Sequence, residues 1–232
     1  MPSTTRNSAF RQGIVAGLPF LVVGGPFAAL FGVIATQAGL DMAQALSMSF
    51  LVIAGAAQFT AIQLMNEAAP VWAVLAASLA VNLRMAMYSA SLQPHLGAAP
   101  LWQRLVVAYL NVDASFALGI QEFEERPERP LGEKVAFFIG TMVLMAPLWV
   151  IGTLIGVLAG DSLPEGVSLD FAMPILFLGL VAPMLKRLAH LGAAVTSVVA
   201  ALAFSGLPDG IGILFAAFLA MAAGAEIERR RG

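Results

Sequence analysis

An arginine lies in the middle of an apolar stretch of this chain. Arg84 is the only charged residue between Ala68 and Pro94. As an α-helix rising about 1.5 Å per residue, that stretch is long enough to cross the hydrocarbon core of a bilayer. An arginine near mid-membrane costs roughly 2.5–3.5 kcal/mol on insertion scales. The stretch therefore predicts a membrane-embedded helix whose arginine has a partner or a function.

The helical phase of this stretch separates its polar side chains into two groups. One face carries Ser78, Asn82, Met85 and Ser89, and a nearly opposite face carries Arg84, Tyr88 and Ser91. A helix with two polar faces is poorly suited to lipid on all sides. We expect it to be enclosed by other helices, to line an aqueous cavity or to be locally unwound.

The composition indicates a polytopic membrane protein. Of the 232 residues, 59% are hydrophobic and 11% are charged, and the mean hydropathy is +0.87, whereas soluble domains carry about 25% charged residues. The chain has no cysteine, which excludes disulfides and thiol catalysis. No metal-binding, phosphate-binding or nucleophile motif is present, so we expect no enzyme activity, cofactor, metal or nucleic-acid partner.

Eight apolar runs predict an all-α helix bundle of seven or eight spans, with glycine and proline interrupting several of them. A densely charged segment divides the chain, and a solvated loop is the ordinary reading of such a segment. The predicted organisation is an N-terminal tail at 1–12, one transmembrane domain at 13–226 with halves at about 13–121 and 135–226, a charged cytoplasmic loop at 122–134, and a basic tail at 227–232.

The two halves show a weak internal repeat. Pro26 and Gly39 have counterparts in Pro147 and Gly160 at the same spacing. The first and fifth apolar runs, which hold these residues, cross in the same direction in the predicted topology. The repeat is therefore expected to be parallel, as in one class of transporter.

The basic residues set the predicted orientation. With the N-terminus in the cytoplasm, ten of the twelve lysines and arginines fall on the cytoplasmic side, Arg104 falls outside and Arg84 lies in the membrane. Both termini are thus predicted to be cytoplasmic.

Arg84 and Asp113 lie near the centres of consecutive predicted spans and are expected to be close enough to pair. One interpretation is a fixed structural ion pair, or an Arg84 that extends to one membrane face. The other is that the pair, together with Asn82, Tyr88 and Gln58, holds a small zwitterion, with Phe59 contributing to an apolar pocket. Gln58 is equally well explained as a hydrogen bond between helices.

Three blocks in this order resemble the AzlC-type branched-chain amino acid permeases: Ala54–Phe59 (AGAAQF), Asn82-Leu83-Arg84 followed by Tyr88–Leu92 (YSASL), and Asp113 followed by Phe116-Ala117-Leu118. The resemblance extends from about Phe10 to Glu226. It implies the large subunit of a two-component exporter in the bacterial inner membrane, working with a small AzlD-type membrane subunit. The implied substrates are leucine, isoleucine and valine, with methionine as a further candidate.

The residues and the resemblance together predict a secondary transporter, since the chain has no ATP-binding motif. In this hypothesis Arg84 orients the substrate carboxylate and Asp113 is the proton-sensitive group. The alternatives are a channel-like or helper subunit without a substrate site of its own, or a carrier for another class of small molecule.

Overall fold

The computed structural model describes residues 5–160, 162, 185, 187–207 and 211–230, without the side chains of residues 211 and 214. The regular structure within these residues is helical. The apolar run expected to span 171–185 lies outside the described residues except for its last position, and so does the turn expected at 208–210. The helices are α1 (Arg6–Gln37), α2 (Met42–Leu51), α3 (Gly55–Asn66), α4 (Val71–Leu96), α5 (Leu101–Tyr109), α6 (Asp113–Glu125), α7 (Leu131–Met142), α8 (Met145–Gly160), α9 (Leu188–Ala203) and α10 (Ile211–Arg229).

Three helical segments among the described residues are long and apolar enough to cross a membrane. They are α1, α4 and the segment Leu131–Gly160, in which α7 and α8 follow each other. Two further helices, α2 and α9, are also apolar but are shorter than these three segments. An all-helical membrane bundle is therefore confirmed for the described residues, and the expectation of seven or eight spans stays a prediction.

The chain forms two compact units. The first contains residues 1–59 and 78–163, and the second contains residues 60–77 and 164–232. In the second unit α9 and α10 pack against each other, with Gly192 beside Ile227 and Gly224 beside Ala193. At the end of α10, hydrogen bonds from Arg229 and Arg230 hold the pKa of the Glu226 carboxyl below its usual value. The proposed halves on either side of 122–134 stay a prediction.

In the first unit, α1 runs beside α7 and α8 in the same direction. Gly13 of α1 lies against the backbone of Phe137, Gly32 lies against Thr153, and Thr36 lies against Gly160. Small residues at these positions let the helix backbones approach closely, which is how helices pack where lipid removes the usual hydrophobic driving force. This order of contacts confirms that the first and fifth apolar runs point the same way.

Besides the turn at 143–144 between α7 and α8, two of the apolar runs are interrupted near their middles. The run 42–66 is broken at Val52–Ala54 and the run 105–121 at Leu110–Val112. Neither break contains a glycine or a proline, so the sequence signal for them was weak. At the second break the Ser115 hydroxyl accepts from the Val112 amide at 2.9 Å and donates to the Leu110 carbonyl at 2.7 Å. These bonds replace helical backbone bonds, which lets the chain leave the helix without unpaired polar groups.

The prolines do not cause the interruptions that we expected from them. Pro19 and Pro26 lie inside α1, which is continuous over 32 residues. Membrane helices tolerate such prolines because neighbouring groups satisfy the freed carbonyls. Pro147 lies in the first turn of α8, just after the break between α7 and α8, where its missing N–H has no helical partner to lose. Pro26 and Pro147 thus occupy different positions in their helices.

Several boundaries differ from those expected. α1 begins at Arg6, inside the expected tail 1–12, because Thr5 caps it by accepting from the Ser8 amide. Likewise α4 continues through Pro94 to Leu96. The charged segment 122–134 is non-helical only from 126 to 130, since α6 continues to Glu125 and α7 begins at Leu131.

Candidate functional site

The Arg84–Asp113 pair lies where α4 meets the break between α5 and α6. An Arg84 guanidinium nitrogen is 3.1 Å from a carboxylate oxygen of Asp113, and their side chains are 29% and 49% exposed. The Tyr88 hydroxyl donates to the other carboxylate oxygen at 2.8 Å. Asp113 is the first residue of α6, so its negative charge is also favoured by the helix N-terminus. The pairing expected from the sequence is present, and Tyr88 belongs to it.

Tyr88 is held by an aromatic neighbour on α6. Its ring stacks on Phe116, with centroids 4.1 Å apart and planes 8° apart. Phe116 is one turn after Asp113 on the same helix, so one turn of α6 supplies both the ring under Tyr88 and the carboxylate in front of its hydroxyl. The stacked pair therefore fixes the position of Tyr88 relative to the ion pair.

The same break also contacts α4 through Asn111, which is 5% exposed. Its amide nitrogen donates to the Met85 carbonyl at 3.4 Å and to the Ser89 hydroxyl at 3.3 Å. These two residues lie on the Ser78–Asn82 face of α4, whereas Arg84 and Tyr88 lie on the other polar face. The two polar faces therefore both reach the α5–α6 break, and the enclosure that we expected for them is partly provided by it.

Four buried polar atoms around this junction have no hydrogen-bond partner in the structure. They are the Ser78 hydroxyl oxygen, the Asn82 and Asn111 amide oxygens, and the Nε atom of Arg84. An unsatisfied buried polar group typically costs about 1–3 kcal/mol. These unpaired groups, on both polar faces of α4 and at the α5–α6 break, are available to a ligand or to water.

Gln58 and Phe59 belong to a second cluster at the start of α3. The Gln58 amide donates to the Ser49 hydroxyl at 3.1 Å and accepts from the Trp149 indole N–H at 3.2 Å. The Ser49 and Thr153 hydroxyls are 2.8 Å apart. The carbonyl oxygen of Trp149 accepts from Thr153 at 2.9 Å, which completes a closed ring of hydrogen bonds between α2, α3 and α8.

Burial of this ring favours a structural part for Gln58, which is 1% exposed. Both ends of its amide have protein partners, which is the helix-joining interpretation that the sequence left open. Phe59, also 1% exposed, packs edge-on against the rings of Phe27 and Phe31 at 4.9 and 5.6 Å between centroids.

A single hydrogen bond joins the two interrupted runs. The Tyr109 hydroxyl, at the end of α5, donates to the carbonyl of Phe50 near the end of α2, at 2.5 Å. This carbonyl is among the last of α2, which lack helical partners. This hydrogen bond therefore links the residues that flank the two breaks within the first unit.

The charged segment 122–134 is exposed over most of its length, but two of its basic side chains, those of Arg129 and Lys134, are buried. The Arg129 side chain is 3% exposed and its guanidinium lies 2.8 Å from Glu122. It also donates to the Gln12 side chain of α1 at 2.6 Å, and it lies over the Phe137 ring, 5.7 Å from the centroid. Lys134 donates to the Pro127 carbonyl at 2.9 Å. The segment thus fastens the start of α1 to the α6–α7 turn.

Replacing Arg129 with alanine is expected to destabilise the protein by about 3 kcal/mol, because it removes a 3% exposed guanidinium that joins Glu122 to Gln12 and leaves Glu122 with only the exposed Arg126. The matched control is Arg126→Ala. Arg126 also contacts Glu122 at 2.8 Å, but its side chain is 49% exposed, so we expect a change of at most about 1 kcal/mol. Thermal unfolding of the purified protein in detergent compares the two, and equal shifts in Tm would contradict the buried network.

A cavity of about 860 Å³ lies beside this network, between the first turns of α1 and the second half of α6. Its lining includes the guanidinium groups of Arg11 and Arg126 and the carboxylates of Glu122 and Glu125. Both signs of charge are present, so the lining selects neither anions nor cations by charge alone. The lining does not include Arg84 or Asp113.

Sequence reasoning identified Arg84, Asp113, Tyr88 and Asn82 and missed Asn111. Asn111 lies two residues before Asp113 in an apolar run. A polar side chain in such a run is itself a reason to expect a functional position there. Arg129 was missed for another reason. Its partner Gln12 is 117 residues away along the chain, and no local pattern distinguishes a buried arginine from a solvated one.

The described residues, with membrane-length apolar helices, interrupted runs and an ion pair at one of the breaks, have the features of a helical membrane protein. The family model described as AzlC protein matches residues 19–163, and the chain belongs to this family. It is 32% identical to an uncharacterized membrane protein of Archaeoglobus fulgidus over 94% of both chains. Over 78% of this chain it is 30% identical to an uncharacterized membrane protein of Helicobacter pylori strain 26695, covering 76% of that protein.

A further relative is the inner membrane protein YgaZ of Escherichia coli K12, which is 26% identical over 78% of this chain and 75% of its own length. No solved structure is significantly similar to the chain. The comparisons thus establish an AzlC-family membrane protein, which is consistent with a transporter-type role.

Proposed function

We propose that this protein is a secondary transporter that exports branched-chain or similar small neutral amino acids across the bacterial inner membrane, with both termini in the cytoplasm. Leucine, isoleucine and valine are the first candidate substrates and methionine is a further one. The observation that carries the proposal is the Arg84–Asp113 pair, which stays partly exposed beside a helix break. Partial exposure leaves both charged groups within reach of a solute.

In the proposed mechanism, Arg84 alternates between two carboxylates. With Asp113 ionised, the guanidinium is held by it at 3.1 Å. Protonation of Asp113 removes that attraction and leaves Arg84 to bind the substrate carboxylate, for which a guanidinium is well shaped. Tyr88 remains beside Asp113 through its stacking on Phe116.

The small partner subunit is part of the proposal because α4 is poorly covered. In the most apolar 18-residue window of α4, 6% of the residues are buried. Most of the surface of α4 is thus left for lipid or for a second protein. A helix that carries Arg84 and Asn82 is costly to leave against lipid, which favours a protein cover.

Counterflow in proteoliposomes tests the proposed function. Vesicles preloaded with leucine are expected to accumulate labelled leucine in a saturable way. Methionine should compete partly, and lysine or glutamate should not. The assay is run with and without the small partner subunit. Saturable flux in neither preparation would favour a channel-like or helper subunit, and competition by charged amino acids would favour a carrier of another class.

A further inference from the structure

Oxygen atoms without partners follow one face of α4. Ser78, Asn82, Met85 and Ser89 share this face, and successive positions three or four residues apart lie about 5–6 Å from each other. The Ser78 and Asn82 side-chain oxygens are buried and unpartnered. Near the other end of the face, Asn111 donates to Ser89, while its own amide oxygen is buried and unpartnered.

These atoms share a chemical property. The amide oxygens of Asn82 and Asn111 can only accept hydrogen bonds, and the Ser78 oxygen has two lone pairs for accepting. Burial of an acceptor without a donor is unfavourable, and the interior of a membrane supplies no water to relieve it. Asn111 is 5% exposed, so its orphan oxygen is not a surface atom. The missing component is therefore a hydrogen-bond donor or a cation.

The acceptor face is distinct from the ion pair. Leu92 of α4 is 3% exposed in the core of the unit, and by helical phase it lies between the two polar faces. Arg84 and Asp113 lie on one side of this buried seam, and the unpartnered oxygens lie on the other. A molecule that carries a carboxylate and an ammonium group finds a guanidinium on the first side and acceptors on the second.

We propose that Ser78, Asn82 and Asn111 line a second station of the transport route, which holds the amino acid by its ammonium group, separate from the station at which Arg84 holds its carboxylate. This assignment rests on the proposed function. An ammonium group has three N–H donors, and these can hydrogen-bond to one neutral oxygen after another along the face. Neutral acceptors bind it weakly enough to release it, which transport requires. A carboxylate finds no donor in the two amide oxygens, and no charged donor on this face.

Cysteine labelling tests the route without requiring any transport, because the natural chain has no cysteine. We compare Ser78→Cys, Asn82→Cys and Asn111→Cys with Leu79→Cys and Leu83→Cys. The two leucines are on the same helix and are 66% and 65% exposed on its apolar side. A trimethylammonium methanethiosulfonate reagent requires water and a thiolate. We expect the three route positions to react several-fold faster than the two leucine positions.

Protection by small analogues of leucine identifies the group that is bound. 3-Methylbutylamine has the amino group without the carboxylate, and 4-methylpentanoate has the carboxylate without the amino group. We expect 3-methylbutylamine to slow labelling at Asn82→Cys and 4-methylpentanoate to leave it unchanged. In transport, Asn82→Leu should weaken competition by the amine and preserve competition by the acid.

The outcomes separate this inference from the proposed function. Labelling at the route positions no faster than at Leu79→Cys and Leu83→Cys, in a protein that transports leucine, overturns the route and leaves the transporter. Fast labelling without protection by the amine overturns the ammonium assignment. Fast labelling with protection by the amine, in a protein without leucine flux, supports an amine-binding route and overturns the branched-chain substrate. If the Asn82→Leu variant does not fold, the cysteine-labelling experiments alone decide between these outcomes.

Discussion

Arg84→Ala and Asp113→Asn are each expected to abolish leucine efflux from preloaded vesicles while the amount of protein in the membrane is maintained. Arg84→Ala removes the group that binds the substrate carboxylate. A hydrogen bond to a charged group is worth about 1.5–3 kcal/mol, or roughly ten- to a hundred-and-fifty-fold in affinity. Asp113→Asn keeps the size of the side chain and the bond from Tyr88 but removes the group that titrates. Initial rates of labelled leucine efflux measure both effects.

A double variant distinguishes a transport pair from a structural pair. Replacing both members of an ion pair with apolar residues of similar volume is often neutral or stabilising, so Arg84→Met with Asp113→Leu should remain folded. If the pair only supports the fold, efflux returns in the double variant. We expect the double variant to be as stable as the natural protein by thermal unfolding and still inactive. Efflux at the natural rate would remove both residues from the mechanism.

The pH dependence of efflux follows from the same step. If Asp113 must take up a proton for Arg84 to bind substrate, flux in the natural protein should change with pH on the side that holds the substrate. Leucine binding by Asp113→Asn, measured as the rise in Tm that leucine produces, should lack the pH dependence that the natural protein shows in the same measurement. Asparagine does not titrate, so a pH profile unchanged in this variant assigns the coupling to another group.

Gly156→Leu is expected to prevent folding altogether. A Cβ atom at Gly156 would overlap the backbone carbonyl of Ala29 in α1. Overpacking by a single group typically costs about 1–3 kcal/mol and occasionally more, and a backbone obstacle cannot move to another rotamer. The close approach of α1 and α8 is therefore incompatible with any larger side chain at this position. Loss of the monodisperse peak in mild detergent measures the effect.

Gly132 provides the matched control. A Cβ atom at Gly132 would meet no other atom within 4 Å, and the residue lies in the first turn of α7. Gly132→Ala should be neutral or slightly stabilising, since alanine is favoured over glycine in a helix by up to about 1 kcal/mol. Gly156→Ala should already lower Tm clearly. Equal behaviour of the two alanine variants would contradict the close packing of α1 and α8.

The interrupted helices explain why the candidate site lies where it does. At each break the helix leaves polar backbone groups that need partners within the protein. Ser115 satisfies them at the second break, while Tyr109 satisfies a carbonyl near the first. Asn111 and Asp113 are then free to reach α4 on either side of its buried seam. A continuous helix over 101–125 would separate these two side chains by about 200° and bring only one of them to α4.

Composition and helical phase alone determined that the chain is a helical membrane protein. They also predicted that Arg84 and Asp113 pair, which the structure shows, and that α4 has two polar faces. These conclusions were available because hydropathy, periodicity and the cost of a buried charge act along neighbouring residues. The predicted topology also indicated that α1 and the α7–α8 segment point in the same direction.

Only the tertiary structure decided which polar groups are satisfied and which are left open. Ser49 meets Thr153 across 104 positions of sequence, and Arg129 meets Gln12 across 117. These contacts made Gln58 part of a closed network and buried one arginine of an otherwise exposed charged segment. The same packing left the oxygens of Asn82 and Asn111 without donors. The physical reason is that burial and pairing depend on which distant segments meet, and no local pattern encodes that.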